Sequence, residues 1–399
     1  MKILHVIPAI ALSYGGPSQA VLEMGRALLK EGVEIEIVTT SANSNQDLNV
    51  PYGKKIEYEG IPTRFFPRTL NEYKFSWPFT QWLKTNIKNY NLLHIHSIFC
   101  FPTACAAHYA RKYQIPYIIR PAGMLDDWSM KQKGWRKKIY FQIVEKKSLE
   151  NAIAIHYTSE AEKNAAEKLP FFTRGIVIPL SVAIDIRFQT LEQGTFRKKY
   201  SEYAGKKIVT FLSRLDPKKG LKLLLEALSR LGRRRNDFVL LIAGKGKRDY
   251  EHQVRKWTRE LHLESQTFFL GFLDSERKYE LLRDTDLFVL PSHQENFGLA
   301  VVEAMQMGVP VVVSDQIDLS QEIESRGAGR VVPLDSHRLA LAIEALLEDE
   351  EERTRLGENG RRLALEKFSR EQMVHGLIGL YRSILENKGS VRCIPNASR

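Results

Sequence analysis

The chain has 399 residues, of which 43% are hydrophobic and 27% charged, with a net charge of +12. That length exceeds one ordinary core and asks for two domains of roughly 150–200 residues in a globular protein. No run of about 18 apolar residues occurs, which excludes a membrane-spanning helix. The basic balance asks for an anionic partner such as nucleotide phosphates, an acidic bilayer surface or nucleic acid.

The opening MKILHVIPAIALS imitates a secretion signal, but His5 and Pro8 interrupt its apolar run and Lys2 is its only early cation. It reads instead as a first buried strand. Short apolar runs then alternate with amphipathic segments. In the first half they are KILHVIP, VEIEIVTT, NLLHIH, IPYIIR, AIAIHYT and GIVIP. In the second they are KIVTFLSR, DFVLLIAG, TFFLGF, DLFVLPS, VPVVVSD and GRVVPL. Helical patterns such as SQAVLEMGRALLKEG and KLLLEALSRLG lie between most of them. This is the strand–helix–strand rhythm of parallel sheets covered on both faces. The rhythm lapses over 180–205 and restarts near 206. The expected domains are therefore 1–195 and 200–369, with a last helix near 370–386 joining the first and a mobile tail over 387–399. The cysteines, Cys100, Cys105 and Cys393, match no zinc spacing and read as reduced thiols of a cytosolic protein.

Open parallel sheets bind ligands beyond the carboxyl ends of their strands, so the residues just after each strand carry the functional reading. After the first strand, GGPS places Gly16 at a turn into a helix start, a phosphate-favouring feature. It does not have the spacing of a dinucleotide fingerprint. SRLDPKKG puts Arg214 at a strand end and Lys219 just before a helix, a pair of cations suited to a diphosphate. AGKGK offers Gly244 for close backbone approach to a nucleotide. PSHQENFGLAVVEAM sets Glu295 on a loop and Glu303 in the first turns of a helix. The backbone of Asn296, Phe297, Gly298 and Leu299 between them supplies helix-start donors. The two acids suit the hydroxyls of a sugar and a ribose. A paired acid and base for glycoside hydrolysis and two plain surface acids are the competing readings.

These residues carry a resemblance to a known family. SRLDPKKG, followed about eighty residues later by the acid–seven–acid element with NFGL inside it, resembles the retaining glycosyltransferases of family 4, and the likeness runs over nearly the whole chain. It implies an α/β fold of the GT-B type, with two doubly wound Rossmann-like domains facing each other across a deep cleft. It implies that Arg214 and Lys219 bind the donor diphosphate, Glu295 the sugar hydroxyls and Glu303 the ribose. The backbone of 296–299 would line the site, and Gly16 would close over the donor from the other domain. It also implies a hexose moved from a UDP- or GDP-sugar to a saccharide or lipid-linked acceptor in cell-envelope glycan synthesis. Neither cofactor nor metal is expected.

The chain departs from the family in two places. Ala122, in RPAGML, stands where many members have a histidine, so Arg120 or the HIHS pair is the candidate replacement. His96 shares a strand face with His94 and reads either as a sugar or acceptor contact or as a packed core histidine. The linker reads IPLS in place of IPNG. Asp284 and Asp286, in DTD, fall at the wrong end of a strand for a metal site in the cleft. The stretch 128–147, with seven Lys/Arg and one Glu among aromatics, suits an anionic membrane face or a solvated helix, and nucleic acid is not an expected partner. A GT-B-fold epimerase and a non-catalytic basic binding protein are the alternatives to a transferase.

Overall fold

A computed structural model describes residues 1–386 apart from Asn45, Asp127, Trp128, Lys131, Gln132, Lys133, Phe172, Ala183 and Arg233. The tail 387–399, expected to be mobile, lies outside the described residues, as does Cys393. The chain divides into two units, Met1–Ser181 with the segment from Arg370 onward, and Val182–Ser369.

The main sheet of the first unit has eight strands: β1 (Lys2–Ala9), β2 (Glu34–Thr40), β3 (Lys55–Tyr58), β4 (Ile61–Phe66), β5 (Leu92–His96), β6 (Tyr117–Arg120), β7 (Ala154–Tyr157) and β8 (Gly175–Val177). Their order in the sheet is β8-β7-β6-β5-β1-β2-β4-β3, parallel throughout except for the β3–β4 hairpin. That hairpin is the one part of the sheet absent from the expected strand series. Its edge strand alternates exposed and half-buried residues, and Pro62 interrupts the apolar run of its partner, so neither segment has the continuous apolar character of a central strand. The helix Arg370–Glu386 returns to this unit and packs on helix Gly16–Lys30. It buries Met373, Val374, Leu377, Leu380, Tyr381 and Ile384, and Arg370 pairs with Glu23 at 2.6 Å.

The second unit has six parallel strands: β9 (Lys207–Leu212), β10 (Phe238–Ala243), β11 (Thr267–Gly271), β12 (Leu287–Leu290), β13 (Val311–Ser314) and β14 (Gly329–Val332). Their order is β11-β10-β9-β12-β13-β14. Counted within the unit this is 3-2-1-4-5-6, the Rossmann arrangement, whose strand order reverses between β9 and β12. The all-apolar runs FVLLIA, LFVL and VVVS are buried along their whole length, as expected for strands covered on both faces. Helix Leu221–Gly232 supplies one cover, burying Leu221, Leu224, Leu225, Leu228 and Leu231 along one stripe.

The segment 182–206, which breaks the strand–helix rhythm, belongs to this second unit. It buries Phe196 and Tyr203, and Asp284 accepts the N–H groups of Gly194 and Arg197 at 2.5 and 2.9 Å. Asp286 accepts from Arg197 and from the Ile208 N–H, both at 2.7 Å. The DTD carboxylates thus fasten this segment to the amino end of the sheet. Among the described residues no helix is long and apolar enough to cross a membrane.

Candidate active site

The reversal of strand order between β9 and β12 brings two loops together at the carboxyl edge of the second sheet. The first, Ser213–Gly220, contains the short 3-10 turn Pro217–Lys219, capped by Asp216 accepting from the Lys218 N–H at 3.0 Å. The second, Pro291–Gly298, leads into helix Leu299–Gln306. The His293 N–H donates to the Lys218 carbonyl at 2.8 Å and stitches the two. Gly220 has φ +71°, and a Cβ there would collide with the Pro291 carbonyl. Only glycine lets the two loops approach this closely. A third loop braces the second, with the Asp318 N–H donating to the Glu295 carbonyl at 2.9 Å.

At this junction Lys219 Nζ donates to Glu295 Oε2. The two side chains are only 13% and 18% exposed, so each charge is held by the other in a partly desolvated place. Arg214, after the same strand, is 55% exposed and has Asp216 4.0 Å away, which leaves its fork open to solvent. Glu303, on the helix, pairs with Lys278 at 2.6 Å. Lys278 comes from helix Ser275–Asp284 and was not singled out in the sequence, because one lysine on a charged amphipathic helix carries no signal. Phe297 is buried and meets the Phe368 ring edge-on at 5.3 Å, so its side chain anchors the loop and only its backbone is available to a ligand. Gly298 (φ +76°) caps the helix, and Leu299 begins it.

Gly244 has a structural explanation as well. Its Cβ would run into the Ser213 carbonyl, so the close approach demanded of it is that of its own neighbouring strand. Beside it lies a cavity of about 290 Å³ lined by Leu215, Lys245, Glu251, Arg255, Phe269 and Gly271 among others. Arg255 sits over the Phe269 ring at 4.0 Å.

Gly16 and His96 belong to the first unit. Gly16 opens helix Gly16–Lys30, while Gly15 takes the positive φ of +70° and caps it. His96 is wholly buried, and both ring nitrogens are engaged. Nε2 faces His5 Nδ1 at 2.9 Å and Arg120 Nε donates to Nδ1 at 3.2 Å. Of the two readings of His96, its surroundings are those of the packed core histidine: both it and Arg120, 1% exposed, are members of a core network.

The hydrogen-bond partners assign the tautomers in that network. His156 Nε2 faces the Ile178 carbonyl at 2.8 Å and must carry the proton. Its Nδ1 then accepts from His94 Nε2 at 3.2 Å, and His94 Nδ1 accepts from the Tyr381 hydroxyl at 2.7 Å. Likewise Arg120 donates to His96, and His96 to His5. Every ring is neutral with its proton on Nε2. The nitrogens of His5, His94 and His96 lie within 4.8 Å of one another, but their acceptor atoms are already used and a guanidinium shares the cluster, so the donor set does not fit a divalent cation.

Burial, helped by the Arg120 charge, lowers the pKa of His5 and His156 to about 3 from the ordinary 6.5. His94 and His96 are lowered too, first by burial and then by their neighbours. The unfolded chain therefore binds protons below pH 6.5 that the folded chain refuses, and stability falls as pH falls. Each group costs about 1.4 kcal/mol per pH unit, so His5 and His156 together remove about 3 kcal/mol between about pH 7.5 and 5.5. Urea titrations of the first unit's transition at the two pH values check this, and unchanged midpoints would contradict the neutral network.

Residues 192–363 match the family described as glycosyl transferases group 1, and residues 15–180 the glycosyl transferase 4-like domain. O-antigen chain mannosyltransferase C of Escherichia coli is 25% identical over 403 residues, covering 97% of this chain and 100% of the relative. An uncharacterized glycosyltransferase of Methanocaldococcus jannaschii is 30% identical over 206 residues, which span 51% of this chain and 52% of the relative, about half of each. Among solved structures, that of Anabaena HepE in complex with UDP-glucose superposes with a TM-score of 0.77 at 20% identity, covering 96% of this chain and 100% of that one. The chain belongs to the group 1 glycosyltransferases of the family 4 type, with the two Rossmann-like sheets of the GT-B fold.

Proposed function

We propose that the chain is a retaining, metal-independent hexosyltransferase that uses a UDP- or GDP-sugar and glycosylates a saccharide or lipid-linked acceptor in cell-envelope glycan synthesis. The observation that carries this reading is the meeting of Lys219 and Glu295 where the strand order of the second sheet reverses. A diphosphate entering there takes Lys219 from Glu295 and finds Arg214 with its fork open. The freed Glu295 carboxylate then accepts from sugar hydroxyls, and Glu303 from the ribose. The cavity beside Gly244 has the size and the ring-and-guanidinium wall to take the base. Lys219 and Arg214 stabilise the charge that grows on the leaving diphosphate, which removes the need for a divalent ion. Acceptor attack on the face the diphosphate leaves, with that diphosphate taking the acceptor proton, retains the anomeric configuration. The relatives, among them a mannosyltransferase and a protein solved in complex with UDP-glucose, support a nucleotide-sugar donor.

Thermal unfolding against UDP, GDP, ADP and their sugars, with and without EDTA, tests the reading. Saturation at about 100 times Kd stabilises by about 2.7 kcal/mol. One nucleotide is expected to raise Tm, equally with EDTA present, and Arg214→Ala to abolish the rise. No rise with any nucleotide would remove the donor site, and a rise that EDTA erases would remove metal independence.

A further inference from the structure

Among the described residues, the six most exposed large apolar side chains of the first unit fall on two segments. Leu70, Tyr73 and Trp77 are 57%, 56% and 56% exposed, and Trp135, Ile139 and Ile143 are 67%, 49% and 70% exposed. The two segments are in contact, because the rings of Tyr73 and Tyr140 stack at 5.6 Å and 10°. Their exposed residues therefore lie on adjoining segments.

The second segment is a continuous helical stretch from Gly134 to Glu150, with a π-turn at Phe141–Glu145. Trp135, Ile139 and Ile143 follow one another at intervals of four, which keeps them on one side. The opposite side is already filled, with Phe141, Glu145, Ser148 and Leu149 buried. This helix is thus apolar on its core face and apolar again on its outer face, which an ordinary solvated helix is not. Lys138, Gln142 and Lys147 share that outer face and are exposed.

The charges around these residues have one sign in excess. From Lys137 to Lys147 there are four lysines and one carboxylate, Glu145. Glu145 is 1% exposed and accepts the Phe99 N–H at 2.6 Å, so it presents no charge outward. On the other segment Glu72 is exposed and is the single acid between Leu70 and Trp77, while half-buried Lys74 lies over the Tyr14 ring at 4.5 Å. Outward Trp, Ile and Leu rimmed by lysine is the pattern of a helix that lies in a headgroup layer, where aromatic rings seat at the polar boundary and lysines meet anionic lipid.

We propose that the patch formed by Leu70, Tyr73, Trp77, Trp135, Ile139 and Ile143 docks the first unit on an anionic lipid bilayer, with Lys138 and Lys147 facing the headgroups. The proposal does not depend on the donor site, which lies in the second unit, so it stands or falls separately from the catalytic reading. Charge complementarity selects a bilayer over a second copy of the chain, since two such lysine-rimmed faces would repel.

Flotation of the full chain with vesicles of phosphatidylcholine alone, and of phosphatidylcholine mixed with phosphatidylglycerol, tests it. The chain is expected to float with the mixed vesicles and to stay in solution with the neutral ones, and salt is expected to weaken the association. Trp135→Ser with Ile143→Ser, on the outer face, should abolish flotation while leaving Tm and nucleotide binding unchanged. Lys138→Glu with Lys147→Glu should lower partitioning by roughly tenfold or more. Failure to float with the mixed vesicles overturns the proposal, and so does flotation that both double variants retain. Self-association of the wild-type chain that Trp135→Ser with Ile143→Ser abolishes, without vesicle binding, reassigns the patch to contact between copies.

Discussion

Replacing Lys219 by Ala is expected to lower kcat by about 10²–10³-fold, the loss seen when one preorganised donor is removed from a developing negative charge. The residue has two tasks in the account. It neutralises the leaving diphosphate, and until the donor arrives it holds Glu295, with which it shares a place where both side chains are mostly covered. Lys219→Ala therefore also leaves Glu295 without its cation, and affinity for the donor falls with the rate. Glu295→Gln separates the effects. It leaves Lys219 free for the diphosphate and removes only the charged acceptor for sugar hydroxyls, so the nucleoside diphosphate should bind as before while transfer slows. Steady-state kinetics with the matched donor, beside binding of the nucleoside diphosphate alone, reads both. Equal kcat for Lys219→Ala and the wild-type chain would remove the lysine from the reaction.

The second large effect is on stability. Glu162 is 4% exposed and accepts the N–H groups of Gly123 and Thr158 at 2.7 and 2.8 Å, and the Thr158 hydroxyl at 2.9 Å. Burial raises its pKa, and these donors together with the Arg120 charge oppose the rise. Glu162→Ala strands two backbone donors and leaves the buried Arg120 without a compensating charge. The expected loss is about 3–5 kcal/mol from the first unit. Glu162→Gln keeps an acceptor in place and should lose less. Nucleotide binding, assigned to the second unit, should survive both changes wherever the chain remains folded. Denaturant titration of the variants measures the cost, and a loss below about 1 kcal/mol for Glu162→Ala would contradict the role of the network.

The second sheet was the more legible part of the sequence. Its central strands are continuous apolar runs, and most of its strands end near a glycine or proline that marks the boundary, as Pro217, Gly244 and Pro291 do. The first sheet was legible at its centre and not at its rim. The hairpin of β3 and β4 mixes charges with half-buried residues, and period-two alternation so short does not stand apart from a loop.

For the site, the sequence pointed to the loops that converge, because ligand positions in open parallel sheets follow strand ends. It did not disclose how their charges pair. The Lys219–Glu295 and Lys278–Glu303 pairs join residues distant along the chain, and such pairing depends on the fold alone. Gly244 was read as serving a ligand, whereas it is required first by the Ser213 carbonyl, and Gly220, which carried no reading, is required by the Pro291 carbonyl. His96 illustrates the converse difficulty. Strand period placed it correctly with His94 on one face, but whether that face meets solvent or core depends on His5, His156, Arg120 and Tyr381, which arrive from four other elements.

The central claim is that Arg214 and Lys219 receive the diphosphate of a nucleotide donor. Calorimetric titration with the preferred nucleoside diphosphate and its monophosphate, on the wild-type chain and on Lys219→Met, tests it most directly. The wild-type chain should prefer the diphosphate, and the variant should bind both nucleotides nearly alike, with its affinity for the monophosphate little changed. A preference for the diphosphate that survives Lys219→Met undiminished would contradict the account.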